Sequence, residues 1–253
     1  MKGPARQLKI REMLEAQGFV DLAVLCEQLD SSESTVRRDL IALQDEGVLK
    51  RVHGGAMAVR SQAPARGDDF AGHARRMAPQ KRRIAAATAA LIEDGQTVIL
   101  DAGSTVAAVA RELLDRSLHV VTNSLPIAEI LGEARRVEVT LTGGQLDSQF
   151  GVVLGPLCEQ MLGSVAVDVA VMGIGGVTEK GLSNSNPLVV GSERKMIEVA
   201  RKVIIVSDHT KFGRGALIPL APLDAVDVVV SDKDLDPEHQ GWLRAHGIDI
   251  RLV

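Results

Sequence analysis

Aromatic side chains are almost missing from this chain, which has no Tyr, one Trp and four Phe in 253 residues. Platforms for single-stranded nucleic acid stack bases on aromatic rings, and sites for uncharged sugars often use an aromatic face. Both are disfavoured here. A small ligand is then expected to be held by backbone amides, hydroxyls and cations, which favours a phosphate. Cysteine is scarce too. Cys26 and Cys158 fall on separate apolar stripes and read as buried small hydrophobes, with no disulfide framework. No apolar run approaches the roughly 18 residues of a membrane span, and the N-terminus carries no apolar signal segment. The expected setting is the reducing cytoplasm, with no membrane partner.

Other chemistries lack their patterns. No GxGxxG opens a helix after the first strand of the sheet, and Gly173-Ile174-Gly175 has Thr178 where the third Gly belongs. Asp232-Lys233-Asp234-Leu235-Asp236 starts like a calcium loop, but Pro237 replaces the required Gly and Leu243 the closing Glu. The six His are scattered without zinc spacing, and there is no GxSxG elbow. Neither a cofactor nor a metal is expected.

What is present is an uneven charge. The net charge is −4, yet residues 61–83 carry +4 through Arg66, Arg75, Arg76, Lys81, Arg82 and Arg83 against Asp68 and Asp69. Residues 1–60 balance, so the remainder is acidic. A neutral unit with basic edges joined to an acidic unit suits a DNA reader tethered to something that is not one.

The stretch Ser31 to Met57 reads as a helix, a Gly stop at Gly47 and a tight hairpin. Val36, Leu40 and Leu43 share one helical stripe, while Ser34, Arg37, Arg38 and Ile41 lie off it. Ser32 is the expected N-cap, and Glu33 sits where the helix dipole favours an anion. Lys50-Arg51-Val52-His53 and Ala56-Met57-Ala58-Val59 flank Gly54-Gly55, a hairpin signal that places Val52 opposite Met57. Upstream, residues 6–17 form a helix with Ile10, Met13 and Leu14 on one face and Gly18 as its stop. Asp21 opens a second helix with Leu22, Leu25, Cys26 and Leu29 inward, and Asp30-Ser31 turns into the third. A basic helix followed by a basic hairpin is the anatomy of a winged helix-turn-helix. Its expected DNA contacts are Ser34, Thr35, Arg37, Arg38, Lys50, Arg51 and His53. The alternative for the Arg pair alone is a solvated helix face.

Residues 61–80 have no sustained periodicity and read as a linker between a DNA-binding domain at 1–60 and an α/β domain at 81–253. Lys81 to Ile92 reads as a helix whose basic start lies near DNA or is solvated. From residue 97, short apolar strands alternate with helices, which argues for a parallel sheet of βαβ units. Strands are expected at 97–101, 118–122, 137–142, 167–172, 202–207, 226–230 and 248–252. Several end in small or hydroxyl-bearing loops at one edge, where open α/β sheets bind ligands. Gly103-Ser104-Thr105 at a helix start makes an anion cradle. Asn123-Ser124 adds a polar loop, Gly143-Gly144 permits close approach, and Lys211 supplies a cation.

Thr35-Val36-Arg37-Arg38-Asp39-Leu40 and Arg51-Val52-His53-Gly54-Gly55-Ala56 resemble the signature of the DeoR family of sugar-responsive transcriptional regulators. Asp101-Ala102-Gly103-Ser104-Thr105, Thr122-Asn123-Ser124, Gly143-Gly144, Gly173 and Asp208-His209-Thr210-Lys211-Phe212-Gly213 stand in that family's order. The resemblance implies an α/β protein, a winged helix-turn-helix plus a Rossmann-like parallel-sheet domain similar to ribose-5-phosphate isomerase and CoA-transferase. It implies a repressor of a sugar or polyol catabolic operon, bound to double-stranded operator DNA as a homo-oligomer and controlled by a phosphorylated sugar or polyol. The implied effector site comprises Gly103, Ser104, Thr105, Asn123, Ser124, Gly143, Gly144, Gly173 and Lys211. The competing reading is a sugar-phosphate isomerase fused to a DNA-binding module. The loop Met172–Gly176 has no acid, and Asp101, Asp168 and Asp208 form no convincing pair for proton transfer, so no catalytic residue is expected.

Overall fold

A computed structural model describes residues 6–11, 13, 19–29, 31–45, 49–52, 55–58 and 70–253. Leu14, Gly18, Asp30, Gly47, His53, Gly54, Val59, Arg66, Asp68 and Asp69 from the sequence reading lie outside them. The chain divides into two compact units, Met1–Ala65 and Arg66–Val253.

The first unit holds a helical stretch at residues 6–11 (α1), then β1 (Phe19–Asp21), α2 (Leu22–Gln28), α3 (Glu33–Asp45), β2 (Leu49–Val52) and β3 (Gly55–Ala58). The expected stripe is the packing face: Val36, Leu40 and Leu43 join Ile10, Leu25, Leu29 and Leu49 in one buried cluster. Ser34, Arg37, Arg38 and Ile41 stay outside it, exposed. Ser32 precedes α3, but its hydroxyl meets the Thr35 hydroxyl at 2.9 Å rather than a backbone amide. Asp39 is buried and clasps α1, bonded to Arg6 and, at 3.2 Å, to Gln7.

The hairpin register differs from the expected one. Val52 pairs with Gly55, and Met57 stands across from Lys50. Gly55 is therefore a strand residue, not half of the turn. Three residues, Phe19–Asp21, add a third strand against β3. This strand pairing gives the hairpin's other edge a partner, which a two-stranded ribbon lacks.

The second unit begins before residue 81. Residues 70–80, read from the sequence as linker, contribute α4 (Phe70–Arg75) and the start of α5 (Ala78–Ala89), which has Pro79 in its first turn where a missing N–H costs nothing. The chain continues as β4 (Thr97–Leu100), α6 (Ser104–Glu112), β5 (Leu118–Thr122), α7 (Leu125–Leu131), β6 (Val137–Leu141), β7 (Gln145–Asp147), β8 (Val152–Leu154), α8 (Pro156–Leu162) and β9 (Val167–Met172). Then come β10 (Gly176–Thr178), β11 (Gly181–Asn184), α9 (Pro187–Val199), β12 (Ala200–Val206), β13 (Ile218–Ala221), β14 (Val228–Ser231), α10 (Pro237–Ala245) and β15 (Asp249–Leu252).

Seven strands form one parallel sheet in the order β15-β14-β12-β9-β4-β5-β6. Both faces are covered, as their Val- and Ile-rich sequences require. Helices α5, α6 and α7 pack one face through Ile84, Val106, Val109 and Ile127. Helices α8, α9 and α10 pack the other through Leu162, Val190, Met196 and Leu243. The strand order reverses between β4 and β9, and that reversal opens a crevice at their carboxyl ends. Among the described residues, no helix is long and apolar enough to cross a membrane.

Candidate effector site

A cavity of about 380 Å³ opens at this crevice. Of the residues expected there, Gly103, Ser104, Thr105, Asn123, Gly173 and Lys211 line it. Gly103 is the N-cap of α6 and offers no capping side chain, so the first-turn amides of that helix keep their capacity for an anion.

Three expected residues do not line the cavity. Ser124 is fully buried and its Oγ accepts from Ile127 N at 3.4 Å, which spends the hydroxyl on capping α7. Gly143 and Gly144 are not on the cavity wall. A Cβ on Gly144 would stand 2.6 Å from the Leu154 carbonyl oxygen, and its φ is +128°, so this glycine lets β8 pass close by.

Lys81 was expected on a solvated or DNA-facing surface. It is buried and lines the cavity, while its neighbours Arg82 and Arg83 are exposed. Its Nζ donates to the His73 carbonyl at 2.5 Å and to Ser104 Oγ at 3.0 Å. Burial lowers its pKa, Asp208 opposes that, and the charges of Lys211 and Arg76 lower it further. Lys81 thus tethers α4, reaches the start of α6 and lies within the field of two other cations.

Lys211 is carried on a single helical turn, His209–Lys211, fixed at both ends. Asp208 caps the turn by accepting from Thr210 N at 3.1 Å. His209 is braced by buried Asp232, through its backbone N at 2.9 Å and its Nδ1 at 2.8 Å. Of the residues that mimic a calcium loop, Asp232 holds this turn and Asp236 caps α10.

No pair of acids is legible in the sequence, but the structure brings Asp101, at the end of β4, and Glu193, on α9, to one cavity. Both line the cavity and are 2% and 1% exposed. Burial raises Asp101 to about 7, against the pull of the Ala102 and Gly173 amides. Burial raises Glu193 to about 9, with the charge of Asp101 adding to it and the Asn184 amide opposing. Both shifts favour the protonated form, so the pair tends to hold a proton near neutral pH. Asn184 Nδ2 donates to Glu193 Oε1 at 2.8 Å. Among the described residues, Glu193 Oε2 and Asn123 Oδ1 are buried without a hydrogen-bond partner. Asp168, by contrast, stands at the opposite edge of the sheet, accepting from Thr97 N at 3.0 Å and near Arg201 at 3.4 Å.

The scarcity of aromatics misled in one respect. Phe70 and Phe150, two of the four Phe, line the cavity, and His73 meets Phe150 edge-on at 5.8 Å.

A family model for the DeoR C-terminal sensor domain matches residues 76–233, and one for the DeoR-like helix-turn-helix domain matches residues 6–62. The chain belongs to the DeoR family. It is 31% identical over 248 residues to the HTH-type transcriptional repressor GlcR of Bacillus subtilis, covering 98% of this chain and 95% of the relative. It is 33% identical over 256 residues to the glycerol-3-phosphate regulon repressor of Escherichia coli, covering 100% of both. Among solved structures it is similar to ribose 5-phosphate isomerase A from Methanocaldococcus jannaschii, with a TM-score of 0.39 and 18% identity over 52% of this chain and 53% of that one. In this DeoR-family chain the cavity also draws Phe70 and His73 from α4, ahead of the matched sensor segment.

Proposed function

We propose that the chain is a DNA-binding transcriptional repressor of a sugar or polyol catabolic operon, acting as a homo-oligomer in the cytoplasm, whose operator affinity changes when a phosphorylated sugar or polyol occupies the cavity. Ser34, Thr35, Arg37 and Arg38 on α3, with Lys50, Arg51 and His53 of the hairpin, meet the operator. Ser104, Thr105, Lys81 and Lys211 hold the phosphate. The observation that carries the reading is the buried Lys81 bonded to Ser104 at an uncapped helix start, with Lys211 close enough to lower its pKa. A cluster of cations that repel one another in a dry site is relieved by a dianion. The effector acts by linkage, because a ligand shifts DNA affinity only as far as it binds the two states differently.

The test starts from a thermal-shift screen of phosphorylated metabolites, since a ligand that prefers the native state raises its stability. Lys81→Met keeps the aliphatic length and removes the charge. It and Lys211→Ala should each weaken binding of the metabolite found by about ten-fold or more, from the loss of a charge-assisted bond worth ~1.5–3 kcal/mol. Operator affinity without effector should stay unchanged in both. An effector response equal to that of the unaltered protein would remove the cations from the site.

A second reading, an isomerase, is favoured by the Asp101–Glu193 pair. The loop Met172–Gly176, which carries no acid, speaks against it. Purified protein should not interconvert ribose 5-phosphate and ribulose 5-phosphate. Turnover that follows the protein through purification and disappears in Glu193→Gln would establish the enzyme.

A further inference from the structure

We infer that Glu193, assisted by Asn123, determines effector specificity by reading uncharged hydroxyl groups at the end of the ligand away from its phosphate, an inference that rests on the phosphate site proposed above. The preferred ligand is a polyol or sugar monophosphate, and a compound of the same length ending in a second anion is rejected.

Two unpartnered atoms carry the argument. Glu193 Oε2 and Asn123 Oδ1 are buried, belong to residues 1% exposed, and have no hydrogen-bond partner among the described residues. Both residues line the same cavity. Leaving a buried polar atom unpaired costs its full desolvation, so such atoms beside one cavity mark where a ligand supplies the partner. Asn184 grips the other oxygen of Glu193 at 2.8 Å and so fixes the carboxyl group's orientation. A site built this way rejects analogues that lack the matching group more strongly than an apolar pocket does.

We assign the phosphate to the Lys81 side and the hydroxyls to the Glu193 side because the two groups differ in charge and in origin. Lys81 reaches the cavity from α5, in the helix layer on one face of the sheet, and the charges acting on it come from Asp208, Lys211 and Arg76. Glu193 reaches it from α9, in the layer on the other face, and the charge acting on it comes from Asp101. A ligand carboxylate or second phosphate at the Glu193 end would meet the Asp101 charge in a desolvated setting. A hydroxyl donates to Asn123 Oδ1 and bonds to the Glu193 carboxyl without adding charge.

Matched ligands test this by calorimetry on the full chain. The probes are inorganic phosphate and three pairs: glycerol 3-phosphate with 3-phosphoglycerate, erythritol 4-phosphate with 4-phosphoerythronate, and sorbitol 6-phosphate with 6-phosphogluconate. Members of a pair differ only in a terminal hydroxymethyl or carboxylate. The best-binding polyol phosphate should bind about ten-fold or more tightly than its acid partner. Glu193→Ala should weaken that polyol phosphate by about ten-fold while inorganic phosphate changes by less than about two-fold. Glu193→Gln, which keeps shape and neutrality, should hold polyol affinity within about three-fold and shows that the fold tolerates the position. Equal or tighter binding of the acid partner overturns the inference, as does an equal loss of phosphate and polyol phosphate in Glu193→Ala. Phosphate binding without polyol preference overturns the inference alone, whereas unaltered protein that binds no probe overturns the phosphate site as well.

Discussion

Replacing Arg37 and Arg38 together by alanine is expected to lower operator affinity by about a thousand-fold, combining ~1–3 kcal/mol for a base contact with ~1.5–3 kcal/mol for a charge-assisted phosphate contact. The two side chains are exposed and leave α3 about 100° apart around its axis, so they reach different parts of a groove. Arg37 is held by Glu33 in an i,i+4 pair at 2.6 Å, with both side chains about 60% exposed. Such a pair is worth only ~0.3–0.5 kcal/mol, and DNA phosphate competes with it easily. The packing face is untouched, because Val36, Leu40 and Leu43 lie on the other side of the helix. Thermal stability should therefore hold while binding collapses. The single variants separate the roles. Loss of a base reader relaxes specificity at one operator position, and loss of a phosphate contact weakens all sequences alike and flattens the salt slope by about one. Undiminished operator affinity in the double variant would take DNA recognition away from α3.

Glu193→Gln is expected to make the protein more stable at alkaline pH and to flatten its pH–stability curve. The carboxyl of Glu193 rises from 4.5 to about 9 on folding, and burial is the main cause. The folded chain thus keeps a proton that the unfolded chain releases, and stability falls wherever the native state binds more protons. The contribution is complete below pH 4.5 and is lost as pH climbs through about 9. Asp101 acts in the same direction, from 3.8 to about 7. Glutamine has no proton to lose. The variant's melting temperature should match that of the unaltered chain near pH 4.5 and exceed it by several degrees at pH 9, as ~1 kcal/mol moves Tm by ~2–4 °C in a chain of this size. Parallel melting curves across this range would mean that Glu193 is not protonated in the native state.

The parts of the fold legible in the sequence are those with long-range regularity. Strands Leu118–Thr122 and Val167–Met172 carry apolar runs bounded by turns, and the structure places them at those residues. Short antiparallel pieces escaped, among them β1, the β7–β8 hairpin and the small sheet β10-β11-β13, because three or four residues give no period to read. The site was half legible for a related reason. Gly103-Ser104-Thr105 announces a helix start, but Ser124 in the same kind of loop is consumed as a cap, and only the tertiary structure tells the two apart. Glu193 is a glutamate inside a 13-residue helix, and glutamates in helices are usually solvated. Lys81 hides in Lys81-Arg82-Arg83, where helical geometry turns one cation inward and two outward. A signal did exist: Val190 and Met196, three residues either side of Glu193, put it on the buried stripe of α9. Phe70 fell in the stretch read as linker, and Phe150 in a segment that received no assignment.

The seven-stranded sheet keeps its two helix layers apart, and each layer sends its own kind of group over the same rim. If the proposed effector site is right, retention of a ligand and recognition of a ligand are thereby written on separate pieces of the chain. Substitutions along α9 would then change which compound is heard while α5 and the start of α6 kept their grip on any phosphate ester. A scaffold divided in this way would acquire a new effector by small steps, without passing through a deaf ancestor.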